Sequence, residues 1–412
     1  MPLVHRTSAA LRFTSCALAL LVATACSDST EPGSGSGAIE LAVTTTGADL
    51  DADGYNYSLD GGTPQSIGAN ATVTLNGIAR GMHSIALTGL ATNCTTSTPL
   101  SVAVRGGATS RAAAPVACAA RPVTHPNGVV AATVPISGNP YGVAVSPQGV
   151  VYAALIGSTT LAKGDLASMG FGSLVVVGST PPHVALSPSG ATAYATLQYG
   201  QGLAIVDVAT NSLTATIPLS SDGFNLIVSP SGARVYATTA GGALYVVNAA
   251  TRSVVTTLFV GAAANGLAFS PNGQTLYVSS RDAGTVSAID VATNAVTRTY
   301  TVGGMPQRLA VAPDGAELYV ANEISGVNVV NVATGSFTSV SLGSAGYGLG
   351  MTPDGAQLYV LLPDAGEVRV LERATRSLVK AIAVGGRPRN VAFDAGGRTA
   401  LVANEEAVVF IK

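Results

Sequence analysis

The stretch NGLAFSPNGQTLYVSSRDAGTVSAIDVATNAVTRTYTV, residues 265–302, decides the fold. Its residues 265–270, 275–279, 285–290 and 295–302 are short runs rich in apolar and β-branched side chains. Ser270-Pro271-Asn272-Gly273 separates the first two, and Val291-Ala292-Thr293-Asn294 the last two. Runs of this length bounded by turn formers read as four consecutive strands. Outward from here the same punctuation recurs. Ser146-Pro147-Gln148-Gly149, Ser187-Pro188-Ser189-Gly190, Ser229-Pro230-Ser231-Gly232, Ala312-Pro313-Asp314-Gly315, Thr352-Pro353-Asp354-Gly355 and the worn Asp394-Ala395-Gly396-Gly397 complete seven copies spaced 40 to 42 residues apart. Pro second and Gly fourth suit a tight type I turn leading into the next strand.

Four short strands per repeat of roughly 40 residues form a unit that cannot bury both faces alone, so neighbours stack around an axis as the blades of a β-propeller. Closure is also written in the chain. The seventh repeat runs out at its third strand, residues 407–412, while residues 130–137, VAATVPIS, mirror the fourth strand at residues 213–220, LTATIPLS. The N-terminal strand therefore completes the last blade and leaves no exposed edge at the seam.

Tyr152, Tyr194, Tyr236, Tyr277, Tyr319 and Tyr359 fall at equivalent places in the second strands, with Leu401 in the seventh copy. Pro313-Asp314-Gly315 followed by Leu318-Tyr319-Val320-Ala321-Asn322 resembles the YVTN family of bacterial and archaeal surface propellers, over residues 128–412. The resemblance implies a seven-bladed propeller at a cell surface. It implies no particular chemistry, because the fold hosts enzymes and binding proteins alike.

Composition agrees. The 412 residues hold 20 Lys and Arg against 22 Asp and Glu, so charged residues are 10% of the chain and the net charge is −2. Nucleic-acid binding needs clustered basic residues and is excluded. With 48 Gly, 21 Pro and no Trp in a chain that is 47% hydrophobic, an all-β architecture follows. Arg6 and Arg12, the uncharged run 13–25 and Ala23-Thr24-Ala25 before Cys26 read as a signal peptide over residues 1–25. Once Cys16 leaves with it, Cys26, Cys94 and Cys118 remain, an odd number in an exported chain. Ala23-Thr24-Ala25-Cys26 resembles a lipobox, which makes Cys26 the lipidated residue at the head of a flexible linker, residues 26–38, and places the protein on a membrane of the bacterial cell envelope. The same three residues suit ordinary signal peptidase, so a secreted form is the alternative.

Residues 39–120 carry at least five short β segments (39–46, 55–59, 72–75, 83–90 and 100–104), expected to form a small β-sandwich with Cys94 bonded to Cys118. The pattern is similar to Ig-like or PEGA-type modules, and residues 121–127 link it to the propeller. Asp49, Asp51, Asp53 and Asp60 match the carboxylate spacing of a calcium loop around Gly54, against the plainer reading of an Asp-Gly turn before a strand.

Loops leading into the inner strands and loops after the second strands share the face around the channel, and that face is the expected site. It offers His183, Asn225, Gln307, Arg308, Arg389 and Asn390 from the first set and Arg281, Asp282, Asn322, Glu323, Asn404 and Glu405 from the second. After signal removal only His83, His125 and His183 remain, in no metal-ligand spacing, and no Gly-x-Ser-x-Gly elbow has a His partner. No cofactor and no catalytic residue is assigned. The expected protein is a monomeric envelope lipoprotein whose propeller binds a protein, glycan or envelope polymer. The alternatives are a hydrolase such as a lactonase acting at the same face, tested at Asn322 and Glu323, and a purely structural envelope component.

Overall fold

The structure, a computed structural model, describes residues 35–47, 54–90, 94–119, 125–200 and 202–412. The signal peptide, Cys26 and the aspartates Asp49, Asp51 and Asp53 lie outside the described residues. Among the described residues all regular elements are strands, and no helix there is long and apolar enough to cross a membrane. The chain falls into two compact units, the second holding residues 117–412.

The N-terminal strands are β1 (Gly37–Gly47), β2 (Tyr55–Leu59), β3 (Gln65–Ile67), β4 (Thr72–Ile78), β5 (Gly81–Thr88), β6 (Cys94–Thr96), β7 (Leu100–Val104) and β8 (Thr109–Cys118). They form two four-stranded sheets, ordered β4-β1-β8-β6 and β3-β2-β5-β7. Period-two burial is plain in β1, where Ile39, Leu41 and Val43 are buried and their neighbours are not, and in β8, where Ala112, Ala114 and Val116 alternate with exposed residues. Sequence reading missed β3, β6 and β8. The first two are only three residues long, and β8 hides because two of its four inward residues are alanine, whose apolar signal is weak. The expected disulfide is present between Cys94 in β6 and Cys118 in β8. Asp60 accepts from His83 Nδ1 at 2.7 Å and from the Ser84 amide at 2.8 Å. The hydrogen bond to Asp60 raises His83 from its ordinary value, and the hydrogen bond to His83 lowers Asp60.

The second unit holds seven four-stranded antiparallel sheets, six of them in sequence order from inner to outer strand. The repeat around residue 270 gives Ala264–Phe269, Thr275–Ser280, Thr285–Asp290 and Ala295–Thr301, within a residue of the sequence reading. Inner strands Pro140–Val145, Val184–Leu186, Gly223–Val228, Ala264–Phe269, Pro306–Val311, Gly348–Met351 and Asn390–Phe393 touch in that order, and the last touches the first, closing the ring. The closing sheet takes its outer strand, β9 (Val130–Pro135), from the start of the unit, paired from Ala407↔Pro135 to Ile411↔Val130 with a register shift between Phe410 and Ile411. Val129 and Lys412 complete the seam with amide-to-carbonyl bonds of 2.7 and 2.8 Å in both directions.

Each tetrad is a hydrogen-bonded turn. The amides of Gly149, Gly190, Gly232, Gly273, Gly315, Gly355 and Gly397 donate to the carbonyl three residues earlier at 2.7–3.0 Å. All seven have φ between +67° and +86°, which explains why glycine recurs there. The turns also pack on one another around the ring. A Cβ on Gly232 or Gly273 would sit 3.4 Å from the Pro188 or Pro230 ring of the preceding blade, and one on Gly355 would run into the Pro313 ring. At the other hairpin, between third and fourth strands, Asp207, Asn248, Asp290 and Asn331 each accept the amide three residues on at 2.7–2.9 Å. Tyr152, Tyr236, Tyr319 and Tyr359 of the second strands are fully buried between sheets, each worth about 1.5–3 kcal/mol by apolar burial.

Candidate functional site

The ends of the inner strands opposite the tetrads meet around the channel. Counting back five residues from the start of each tetrad gives Tyr141, Pro182, Phe224, Asn265, Gln307, Tyr347 and Arg389, with only tyrosine occurring twice. Counting back four gives Gly142, His183, Asn225, Gly266, Arg308, Gly348 and Asn390. At this second position the chain alternates two solutions to blade contact. Glycine allows close approach, since a Cβ on Gly142 would crowd His183 and one on Gly348 would lie 2.8 Å from the Arg389 carbonyl. Asparagine bridges instead: Asn225 Nδ2 donates to the Asn265 carbonyl at 3.0 Å, and Asn390 Oδ1 accepts from the Val143 amide at 2.9 Å.

His183 and Arg308 fit neither pattern. Their side chains, from the second and fifth blades, meet each other, with Arg308 Nη2 donating to the imidazole. Burial, reinforced by the Arg308 charge, holds His183 well below its ordinary range, so the ring is neutral and accepts. Burial also lowers Arg308 from its ordinary value, though a guanidinium stays charged in proteins. The Phe224 ring lies 6.0 Å and the Tyr141 ring 5.4 Å from His183, both edge-on. Tyr141 and Tyr347 share a hydrogen bond between their hydroxyls, and burial pushes Tyr141 far above the ordinary phenol value. The Arg389 guanidinium stands 5.5 Å from the Tyr141 centroid and 4.8 Å from that of Tyr347, and its Nε donates to Glu405 Oε1 at 2.5 Å. Burial opposes the Arg389 charge, but the two phenols and Glu405 outweigh it and raise its pKa.

Beside this centre a pocket of about 220 Å³ is lined by Phe224, Ala240, Ala263, Ala264, Asn265, Arg281, Gln307, Glu323 and Tyr347. A polar chain runs along its wall. Asn265 Nδ2 donates to Gln307 Oε1, Gln307 Nε2 donates to Glu323 Oε1, and Arg281 grips Glu323 with Nη2 at 3.0 Å and Nε at 3.4 Å. Arg281 Nη1 also pairs with Asp282 at 3.1 Å on the exposed rim.

The expected face thus separates into two groups. His183, Gln307, Arg308, Arg281, Asp282, Glu323, Arg389 and Glu405 are brought together around the channel. Asn322 and Asn404 are anchors of their own loops. Asn322 Oδ1 accepts from the Met305 and Ile324 amides while its Nδ2 donates to the Gly303 carbonyl at 2.9 Å. Asn404 does the same with Glu406, Ala407 and the Val384 carbonyl. That geometry explains why Asn follows the second strand. Sequence reading missed Tyr141, Phe224, Asn265 and Tyr347, which the count from the tetrads would have found. Among the described residues no group of three or more His, Cys, Asp or Glu side chains gathers as for a metal ion.

Residues 129–352 match the YNCE-like β-propeller family. No curated protein matches the chain. Among solved structures, hydrazine synthase from Kuenenia stuttgartiensis superposes with a TM-score of 0.62 at 19% identity, covering 67% of this chain and 96% of that one. A chain of a mitotic checkpoint complex superposes with a TM-score of 0.63 at 18% identity, covering 71% and 94%. At such identities the likeness is one of fold alone.

Proposed function

The chain belongs to the YNCE-like β-propeller family, and on that premise we propose that it is a cell-envelope lipoprotein whose propeller is a binding module, taking an envelope protein, glycan or polymer at the channel face. The observation that carries this reading is the pocket lined by polar Asn265, Arg281, Gln307 and Glu323 together with Phe224, three alanines and Tyr347. Sites that mix a few convergent polar groups with apolar walls are the usual form of a ligand pocket. Its charge is concentrated in a chain that spends only 10% of its residues on charge.

Cys26 is the lipid-bearing residue in this reading, residues 26–38 are its tether, the N-terminal sheets form an Ig-like or PEGA-type module, and the propeller is YVTN-like. The hydrolase alternative draws no support from the geometry. Asn322 is spent on backbone contacts, and Glu323 is held between Arg281 and Gln307.

The test is intact mass of the protein from the membrane fraction together with capture from envelope extract. An acylated chain starting at Cys26, and capture weakened by Arg281→Ala or Glu323→Ala, support the reading. Capture indifferent to both substitutions removes the channel face from it, and an unmodified chain in the medium removes the anchor.

A further inference from the structure

Arg308 is 6% exposed, and among the described residues no carboxylate pairs with it. Its Nε has no hydrogen-bond partner there, and its Nη2 goes to a histidine, which supplies no negative charge. The two other arginines named at the channel each have a carboxylate partner: Arg389 has Glu405, and Arg281 has Glu323 and Asp282. A buried cation without a counter-charge is costly, and a guanidinium cannot escape by losing its proton. The fold holds this one in place through Gly266, whose missing Cβ leaves room for the Arg308 backbone, and through the Arg308 amide, which donates to the Tyr347 carbonyl at 3.4 Å.

The geometry points to a carboxylate-binding site in the channel, with Arg308 as its cation and a small organic acid with an apolar body as its ligand. This deepens the binding-module reading and rests on it. A buried guanidinium with no carboxylate beside it calls for an anionic partner, and its edge matches a planar carboxylate. A second donor stands close by. Two phenols that share one hydrogen bond keep one O–H to give, and both Tyr141 and Tyr347 lie within electrostatic reach of Arg308. Phe224 and Tyr347 wall the adjoining pocket with Ala240, Ala263 and Ala264, which suits an aromatic or aliphatic body. Phe224 is also in ring contact with the His183 that Arg308 engages, so pocket and cation share a wall.

Sodium benzoate is the probe, titrated into full-length protein by calorimetry and thermal unfolding, against acetate, inorganic phosphate and chloride at matched ionic strength. The expected result is saturable benzoate binding that raises the unfolding midpoint, at least tenfold weaker in Arg308→Met and several-fold weaker in Arg308→Lys, which keeps the charge but loses the fork. Without probe, Arg308→Met is expected to be at least as stable as the parent, because the unpaired charge is gone. Should Arg308→Met fail to fold, or unfold well below the parent, Arg308 is a structural cation and the site is overturned. Equal benzoate affinity in the parent and Arg308→Lys overturns the guanidinium fork, and no saturable benzoate effect overturns the site. Phosphate in preference to benzoate overturns the carboxylate class, and acetate as tight as benzoate overturns the apolar body. Envelope capture that survives alongside absent benzoate binding removes this inference alone, whereas loss of capture dependence on Arg281 and Glu323 removes the parent reading.

Discussion

The two ends of the seven inner strands are built on opposite plans. At the tetrad end one turn is repeated, its glycine at positive φ, and at Gly232, Gly273, Gly315 and Gly355 the glycine lies against the proline of the preceding tetrad. At the channel end the corresponding column reads Tyr141, Pro182, Phe224, Asn265, Gln307, Tyr347 and Arg389, a different residue type in almost every blade. Repetition sets the frame, because closing a ring requires every interface to turn by the same angle. Departure from repetition marks the site, because a ligand is not seven-fold symmetric.

Breaking the frame should have the largest effect. Gly355→Val places a β-branched residue at positive φ and against the Pro313 ring, and should cost about 3 kcal/mol or more in chemical denaturation. Gly303→Ala, also at positive φ but with open space around it, should cost only about 1 kcal/mol, and equal losses would deny the proline-on-glycine packing its role. Next, Asn322→Ala strips a buried side chain from three backbone partners and should cost about 1–3 kcal/mol. Its neighbour separates frame from site: Glu323→Gln loosens the Arg281 contact at a half-exposed position and should change stability by less than about 1 kcal/mol while weakening capture. If Asn322→Ala left stability untouched, the division of these adjacent residues would be wrong.

The acid response sharpens the comparison further. His183 is buried neutral among Arg308, Tyr141 and Phe224, with its folded pKa far below 6.5, so the unfolded chain binds the extra proton first. Stability should therefore fall as pH drops below 6.5, by about 1.4 kcal/mol per pH unit, a slope that His183→Gln abolishes between pH 6.5 and 5. The smallest effect belongs to the exposed pair in the N-terminal unit. His83 is raised and Asp60 lowered, so their mutual support is full between their ordinary values of 6.5 and 3.8 and fades outside that window. An NMR titration placing His83 at or below 6.5 would contradict the pairing.

Much of the architecture was legible. Pro and Gly at fixed offsets announced the turns, the tyrosine column announced the second strands, and the likeness of residues 130–137 to residues 213–220 announced the seam that β9 makes with Ala407–Ile411. Local chemistry sufficed there because each signal acts within a few residues of itself. The N-terminal sheets were harder, since β3 and β6 are too short for a period and β8 buries alanines. At the channel the sequence pointed to Arg308 and His183 separately, but 125 residues divide them, and nothing in either neighbourhood says that they touch.

From residues alone, then, come the all-β class, the blade period, the closure by the N-terminal strand and the Cys94–Cys118 bond, because hydrogen-bonded turns and period-two burial are properties of short segments. Only the tertiary structure decides that Asn322 and Asn404 serve the backbone while Arg281 and Glu323 serve the pocket. It alone leaves Arg308 as a buried cation lacking a counter-charge among the described residues. Charge balance is a sum over everything within a few ångströms, and in a closed ring those neighbours come from blades far apart in the chain.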